Sequence, residues 1–174
     1  AGEKLVAYQF DGYWRDVGTI DSLWASNLDL LYPGAGLNLD DPNWKIYSRS
    51  PSSPPQYLSE TAQVLNSMLA EGCQIEGKVD FSILFDNVTV EEGAIVRDSI
   101  IMPGSTIKSG AVVKYAIIAE NTVIEENASI GKRPEEVNMD SWGITVIGSN
   151  ITIGKNVCIG ANEMIDFDVL EVAK

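Results

Sequence analysis

The chain has 174 residues, 45% of them hydrophobic, and carries 25 acidic against 12 basic side chains, a formal charge of −13. This excess of negative charge opposes binding to nucleic acid or to an anionic membrane surface, and no apolar run approaches the roughly 20 residues that span a bilayer. Histidine, the commonest acid–base residue and metal ligand, is absent. We therefore expect an ordered cytoplasmic protein with no nucleic-acid or membrane partner.

The first segment predicts extended structure. Residues 5–14, LVAYQFDGYW, alternate like a strand or a pair of short strands and break at Asp11-Gly12, a dipeptide typical of tight hairpins. The opening stretch AGEKLVAYQF has no initiator methionine and no signal-peptide core. We expect a piece cut from a longer protein.

A helix is predicted next, within GYWRDVGTIDSLWASNLDLL. Thr19 is a good N-cap, Asp21 suits the first turn, and Pro33-Gly34 ends the pattern. Apolar residues recur at helical spacing: Ile20, Leu23, Trp24, Leu28 and Leu31.

Residues 33–58 are predicted to form a linker, because Pro, Gly, Ser and Asp leave few stretches long enough for a regular element. WKIYS, residues 44–48, is a candidate short strand within it. Either the linker is a flexible tether or its apolar residues dock on a neighbouring surface, and we favour docking. The docking residues would be Trp44, Ile46, Tyr47 and Tyr57.

The rest of the chain has a period of six residues. The aliphatic positions are Ile101, Ile107, Ile118, Ile124, Ile130, Ile147, Ile153, Ile159 and Ile165, and four residues beyond several of them stand the small residues Ser105, Ala111, Thr122 and Ala128. Such a period suits short strands joined by tight turns, with an aliphatic and a small residue pointing inward. Three strands would form one triangular coil, and coils would stack at about 4.8 Å.

The borders of this repeat are less regular. The aliphatic rhythm is visible from Ile75, so we expect the solenoid to begin near residue 70, with residues 59–69 as a short helix or strand leading in. GKRPEEVNMDSWGITV interrupts the repeat between Ile130 and Ile147 and predicts a projecting loop, a common place for a binding role.

Cys73 and Cys158 lie in unrelated contexts, and we expect two buried, reduced thiols.

Two sets of motifs carry a family resemblance. YWRDVGTIDSLWASNLDLL, followed by a Pro/Ser-rich connection and by IIMPGSTI, AIIAENTVIEENASIG and SWGITVIGSNITIG, resembles the C-terminal part of glucose-1-phosphate adenylyltransferase. The resemblance implies a mainly all-β fold, a left-handed parallel β-helix preceded by a short α/β remnant of a nucleotidyltransferase domain. The implied divisions are residues 1–32 for the remnant, 33–58 for the linker and 59–174 for a regulatory and oligomerisation domain.

The resemblance also implies roles for two residues of the WRDVG motif. Asp16 would be a catalytic residue and one of the carboxylates that hold Mg²⁺, and Trp14 would lie near the sugar-phosphate pocket. Without the resemblance, Arg15-Asp16 is equally a local salt bridge or turn, and Trp14 a core aromatic. The parent enzyme would join ATP and glucose 1-phosphate into ADP-glucose and pyrophosphate for glycogen synthesis. The larger catalytic domain is missing from the likeness, so we expect no cofactor and no activity in this chain alone.

An allosteric effector site is the second implication of the resemblance. Lys132 and Arg133 are the candidates for contact with an anionic effector, because Arg presents a planar fork to phosphate; a solvated turn is the alternative. Plant relatives place lysines in segments that match those of Glu126 and Gly148 here, so we expect weak or different regulation. The family also implies a homo-oligomer, a dimer or tetramer, in which Ile165, Phe167, Val169 and Leu170 near the C-terminus are available for pairing or for closing the last coil.

Other functions remain open from the sequence. Hexapeptide acyltransferases and solenoid carbonic anhydrases share the fold but rely on histidine, which this chain lacks. Mannose-1-phosphate guanylyltransferase and related sugar nucleotidyltransferases share both domain types, although YWRDVGT and SWGIT favour the glucose enzyme. The third possibility is a purely structural oligomerisation module.

Overall fold

The computed structural model describes residues 2–34, 36–39, 41–47 and 52–171. Within these ranges its main feature is a solenoid of short parallel strands, each two or three residues long. Each strand pairs with the strand three places further along the chain, which is its equivalent in the next coil. This pairing gives three parallel sheets of six strands each. The predicted triangular solenoid is confirmed.

The strands follow one another coil by coil. The first three coils consist of β1 (Tyr57–Leu58), β2 (Gln63–Leu65) and β3 (Met68–Leu69), then β4 (Gln74–Ile75), β5 (Lys78–Asp80) and β6 (Ile83–Leu84), then β7 (Thr89–Val90), β8 (Ile95–Arg97) and β9 (Ile100–Ile101). The last three consist of β10 (Thr106–Ile107), β11 (Val112–Lys114) and β12 (Ala116–Ile118), then β13 (Val123–Ile124), β14 (Ser129–Ile130) and β15 (Thr145–Ile147), then β16 (Thr152–Ile153), β17 (Cys158–Ile159) and β18 (Met164–Ile165).

The core is built from one inward-pointing residue per strand. In the sheet that begins with β1, Ile107 pairs with Ile124 and Ile124 with Ile153, and all three side chains are fully buried. Identical aliphatic side chains thus stack along the solenoid axis. The small residues predicted to face inward are also fully buried: Ser105, Ala111, Thr122 and Ala128.

The corners turn through left-handed backbone, which asparagine and glycine adopt at low cost. Asn121, Asn127, Asn150 and Asn156 all have φ between 54° and 61° at two of the corners. At the third corner a ladder of buried serines connects the coils: the Ser99 amide donates to Ser82 Oγ at 3.2 Å, and the Ala116 amide donates to Ser99 Oγ at 3.2 Å. Backbone groups that would otherwise be buried without partners are therefore satisfied.

The predicted helix is present as α1 (Ile20–Leu28), continued by a 3₁₀ turn, Asp29–Leu31. Thr19 caps it, as predicted, because its side-chain oxygen accepts a hydrogen bond from the Ser22 amide. The Thr19 amide in turn donates a hydrogen bond to Ser22 Oγ. The helix lies on the outer face of the sheet containing β6, β9 and β12. Its apolar side packs against outward-facing isoleucines of those strands and of the following loop: Ile83, Ile100, Ile117 and Ile144.

Predictions for the segments around the helix were partly wrong. No strand forms within residues 5–14, where Leu5 and Tyr8 are 95% and 88% exposed. A strand needs a hydrogen-bonded neighbour, and among the described residues no strand borders this segment.

The linker prediction also needs correction. Residues 44–47 form no strand, and Ser48, the last residue of that prediction, lies outside the described residues. These aromatic and aliphatic side chains do not dock on the described part of the chain, because all four are exposed: Trp44, Ile46, Tyr47 and Tyr57. Tyr57 instead belongs to β1, so the solenoid begins before residue 70, and residues 59–69 contribute β2 and β3.

Two details at the far end complete the comparison. Cys73 is buried as expected, but Cys158 is exposed because it takes the outward position of β17 beside the inward-pointing Ile159. Val169 forms a parallel bridge with Ile153, so the chain after β18 begins to cover the last coil, whereas Phe167 and Leu170 remain exposed.

No helix in the described part of the chain is both long and apolar enough to cross a bilayer.

Removing one residue of the inner stack tests this core. We expect Ile124→Ala to lower the free energy of unfolding by about 2–5 kcal/mol, since it leaves a cavity that the neighbouring coils cannot fill. Val123→Ala, one residue away on the outer face, should cost less than about 1 kcal/mol. Urea unfolding of both variants provides the measurement, and equal losses would contradict the inward assignment of Ile124.

Candidate functional site

The WRDVG motif lies in an extended segment leading into α1. The Asp16 carboxylate is exposed, and its Oδ1 accepts a hydrogen bond from the Gly18 amide at 2.9 Å. This local turn orients the carboxylate directly before the Thr19 cap. The motif is therefore continuous with the helix N-terminus.

A charged cluster fastens the same segment to the other end of the helix. Arg15 donates to Asp29 Oδ2 through Nε at 2.7 Å and through Nη2 at 2.6 Å, and the Tyr13 hydroxyl donates to the same oxygen at 3.1 Å. Partial burial and the Asp29 carboxylate raise the pKa of Tyr13, and the hydrogen bond that Arg15 donates to Asp29 raises the pKa of Arg15. Arg15 thus pairs with Asp29, and the alternative of an Arg15–Asp16 salt bridge is not what the structure shows.

Trp14 stands on an open groove of about 330 Å³ between this segment and the helix. Its other lining residues are Tyr13, Arg15, Val17, Ser26, Asn27, Leu30 and Leu37. Trp14 is 73% exposed, so the alternative of a buried core aromatic is wrong. An exposed indole beside hydroxyl, amide and guanidinium groups can stack on a ring and donate hydrogen bonds.

Asp16 fits a magnesium ion only as one part of a larger ligand set. Mg²⁺ takes hard oxygen ligands and is commonly held by one or two carboxylates together with substrate phosphates. No group of three or more acidic or cysteine side chains arranged for a metal occurs within residues 2–34, 36–39, 41–47 and 52–171. The Asp16 carboxylate is exposed and offers hard oxygen ligands, which agrees with the magnesium-binding role implied by the resemblance. A complete magnesium site needs further ligands.

The predicted projecting loop is present between β14 and β15. It begins at Gly131, whose φ of +71° and contact with the Lys114 carbonyl leave no room for a side chain. It contains the 3₁₀ turns Pro134–Glu136 and Met139–Ser141. Lys132 is exposed, and its carbonyl accepts a hydrogen bond from Trp142 Nε1 at 2.8 Å.

Arg133 lines a second groove, of about 350 Å³, with Arg97, Tyr115, Glu135 and Glu136. Trp14 and Arg133 therefore line different grooves. The Arg133 groove has mixed charge, because Arg97 lies 3.4 Å from both Asp80 Oδ2 and Asp98 Oδ2. The Arg133 amide and Lys114 lower the pKa of Glu136, and burial raises the pKa of Asp98 despite the nearby Arg97. An anion entering this groove would meet carboxylates as well as guanidinium groups.

An aromatic cluster that was not predicted joins the helix to the loop. The Trp24 ring of α1 lies 5.9 Å from the Tyr115 ring, and the Tyr115 ring lies 5.5 Å from that of Trp142 in the loop, at 78°. Trp24 Nε1 also donates to the Asp98 carbonyl at 2.8 Å. The signal in the sequence was the position of Tyr115 within the repeat, a corner position that asparagine occupies in the first and last coils.

The stacked parallel strands and the corner loop define a hexapeptide-type parallel β-helix. Residues 55–153 match the family model described as GlmU-like, C-terminal hexapeptide, so the chain belongs to that family. The coil is left-handed, as predicted.

Proteins with the name glucose-1-phosphate adenylyltransferase are similar to this chain over somewhat more than half of its length. Those of Bacillus mycoides (strain KBAB4), Bacillus thuringiensis (strain Al Hakam) and Bacillus anthracis are 58%, 57% and 57% identical over 99 residues. Each alignment covers 57% of this chain and 26% of the relative, so the chain matches about a quarter of each relative's length. The resemblance drawn from the motifs is confirmed.

Glu126, which stands where plant relatives were expected to place a lysine, is paired with a cation. Lys155 Nζ lies 3.2 Å from Glu126 Oε1 and 3.1 Å from Oε2. The backbone amide of Glu126 and the Lys155 ammonium lower the pKa of this carboxyl to about 2.

This ion pair predicts a dependence of stability on pH. A depressed pKa in the folded state contributes stability above the ordinary carboxyl range, and that contribution disappears as the pH falls toward about 2. We expect Glu126→Gln to unfold at a lower temperature than the unsubstituted protein at pH 6, and the two melting temperatures to converge near pH 2. A difference that persists unchanged at low pH would contradict this account of Glu126.

Proposed function

We propose that this chain is the solenoid part of an enzyme that makes ADP-glucose and pyrophosphate from ATP and glucose 1-phosphate. The observation that carries the proposal is the 58% identity over 99 residues to proteins named glucose-1-phosphate adenylyltransferase. The match to the hexapeptide family model over residues 55–153, a range that includes the projecting loop, also supports the proposal. In the cell the product would feed glycogen synthesis, and the enzyme would act in the cytoplasm.

Asp16 is the residue that we assign to the catalytic centre of the whole enzyme. With the carboxylates and phosphates that complete the ligand set, it would hold Mg²⁺, which neutralises charge as the α-phosphate of ATP is attacked. Within this chain the Gly18 amide orients the Asp16 carboxylate, and the Arg15–Asp29 pair fixes the segment against α1. Trp14, exposed on the neighbouring groove, would contact the sugar phosphate.

A single carboxylate supplies too few ligands for this chemistry, so we propose that the chain alone is inactive. Its own contribution would be assembly and regulation, with the loop residues Lys132 and Arg133 as the effector-binding candidates. The carboxylates around Arg133 favour an effector with cationic or neutral groups beside its anionic one, or weak binding of a simple anion.

Catalysis can be tested on the chain and on a fusion to the upstream part of the Bacillus mycoides relative. With ATP, glucose 1-phosphate and Mg²⁺, the fusion should form ADP-glucose and the chain alone should not. In the fusion, Asp16→Asn should lower kcat by about two orders of magnitude, whereas Asp21→Asn, in the first turn of α1, should leave it near the starting value.

Either of two results would contradict the assignment. Turnover by the 174-residue chain alone would mean that a complete site lies within it. A fusion in which Asp16→Asn turns over as fast as the unsubstituted fusion would refute the role of Asp16.

Self-association is the second part of the proposal. Phe167 and Leu170 are each 61% exposed beside the last coil, where a second copy can cover them. We expect a dimer or tetramer by size-exclusion chromatography with light scattering, and a shift toward monomer in the double variant Phe167→Ser, Leu170→Ser. Met139→Ser, an exposed residue of the loop, is the matched control. A monomer at high concentration of the unsubstituted chain would refute the proposal.

A further inference from the structure

One corner of the solenoid is built from residues that rarely adopt its backbone conformation. Phe81, Asp98 and Tyr115 occupy successive coils of the third corner with φ of 44°, 48° and 46°. Asparagine takes the equivalent position in the first and last coils, as Asn66 and Asn162. Left-handed backbone is disfavoured for bulky side chains, and such residues persist where their surroundings over-determine them.

All three residues hold α1 or its continuation. The Phe81 ring lies 5.1 Å from the Tyr32 ring in an edge-on arrangement, and the Asp98 carbonyl accepts the Trp24 indole hydrogen bond at 2.8 Å. The Tyr115 ring packs against Trp24. At this corner, residues that contact the helix thus stand in place of asparagine, which the left-handed backbone favours.

The other side of Tyr115 is occupied by the loop. Trp142 packs edge-on against Tyr115, and its indole nitrogen donates to the Lys132 carbonyl, so the loop is closed on itself at the point where it meets the corner. Trp24 and Trp142 contact the same ring from two different elements. A shift of the loop therefore changes the surface on which α1 rests.

The helix in turn determines where the WRDVG motif lies. At its N-terminus, Asp16 and Gly18 form the turn that precedes the Thr19 cap. At its C-terminus, Asp29 binds Arg15 and Tyr13. With both ends attached, the segment follows any displacement of α1 as a unit.

We propose that Tyr115 is a positioning residue that couples the loop of residues 131–144 to Asp16 through Trp142, Trp24 and α1. The loop is then the regulatory input, and its conformation sets the placement of the Asp16 carboxylate. The part that concerns Asp16 rests on the proposed function, whereas the coupling of the loop to the helix does not.

Amide hydrogen exchange on the 174-residue chain tests the coupling without any catalysis. In Trp142→Ala we expect the amides of residues 23–28 to exchange about two- to tenfold faster, the range that corresponds to loss of one aromatic pair. Met139→Ala, in the same loop but absent from the cluster, should leave that exchange unchanged. Tyr115→Phe keeps the ring and should also match the unsubstituted chain.

Tyr115→Asn separates coupling from general destabilisation. Asparagine tolerates the left-handed corner better than tyrosine, so the solenoid strands β8 and β14 should keep their protection while the helix amides exchange faster. In this background Trp142→Ala should add no further increase, because the shared ring is already gone.

Unchanged helix exchange in Trp142→Ala overturns the proposal, as does an equal increase in Met139→Ala. If an alanine variant loses its β-sheet circular dichroism, Trp142→Leu replaces it and is judged by the same criteria. In the fusion enzyme, Trp142→Ala should lower kcat with little change in KM if Asp16 is correctly assigned. Faster helix exchange with an unaltered kcat would retain the coupling of the loop to the helix and refute its extension to Asp16.

Discussion

The fold depends on hydrogen bonds between coils. A strand of two residues buries too little and makes too few hydrogen bonds to exist alone, and each strand here is stabilised by its equivalents in the coils before and after it. Parallel pairing in constant register places isoleucine on isoleucine along the axis, as for Ile107, Ile124 and Ile153. The repeat period of six is thus a geometric requirement, because a slip of one residue would turn the aliphatic column toward water.

The second level of organisation is the helix on the outside of one sheet. Most outward positions of a solenoid face water, yet Ile83, Ile100 and Ile117 are apolar and nearly or fully buried. Helix α1 covers them, and burial of each isoleucine contributes about 1.5–3 kcal/mol. A segment that precedes the repeat in sequence is in this way part of the same packed structure, and the WRDVG motif is held against the solenoid without belonging to it.

Sequence periodicity was sufficient for the solenoid and for α1 because both have strong local signals. The aliphatic repeat fixes which residues face inward, and Thr19, with the apolar spacing that follows, fixes the helix start. The strand prediction for residues 5–14 was wrong because an alternating pattern indicates only that a segment can form a strand. The strand also needs a hydrogen-bonded neighbour, and the sequence of the segment does not encode that neighbour. Cys158 is exposed because it takes the outward-facing position of β17. The number and contexts of the cysteines, on which the prediction was based, do not indicate which face of a strand a cysteine occupies.

The candidate site was accessible to sequence reasoning only in part. Asp16 and Trp14 were found by their motif, and their roles stay predictions, as do those of Lys132 and Arg133. Tyr115, Trp24 and Trp142 were missed because they come together from three separate elements, and no local pattern records such a meeting. The domain limits at residues 32 and 58 likewise stay predictions, since helix and solenoid share one packed surface.

The loop after β14 has a consequence for how such a protein changes over evolutionary time. It enters at a corner and returns in register, so that Ile118 still pairs with Ile147. The chain can lengthen, shorten or exchange this loop without disturbing the inner column. Sequence and length can therefore vary at this corner while selection for folding acts on the aliphatic positions, and relatives that keep the same coil are free to differ in this loop.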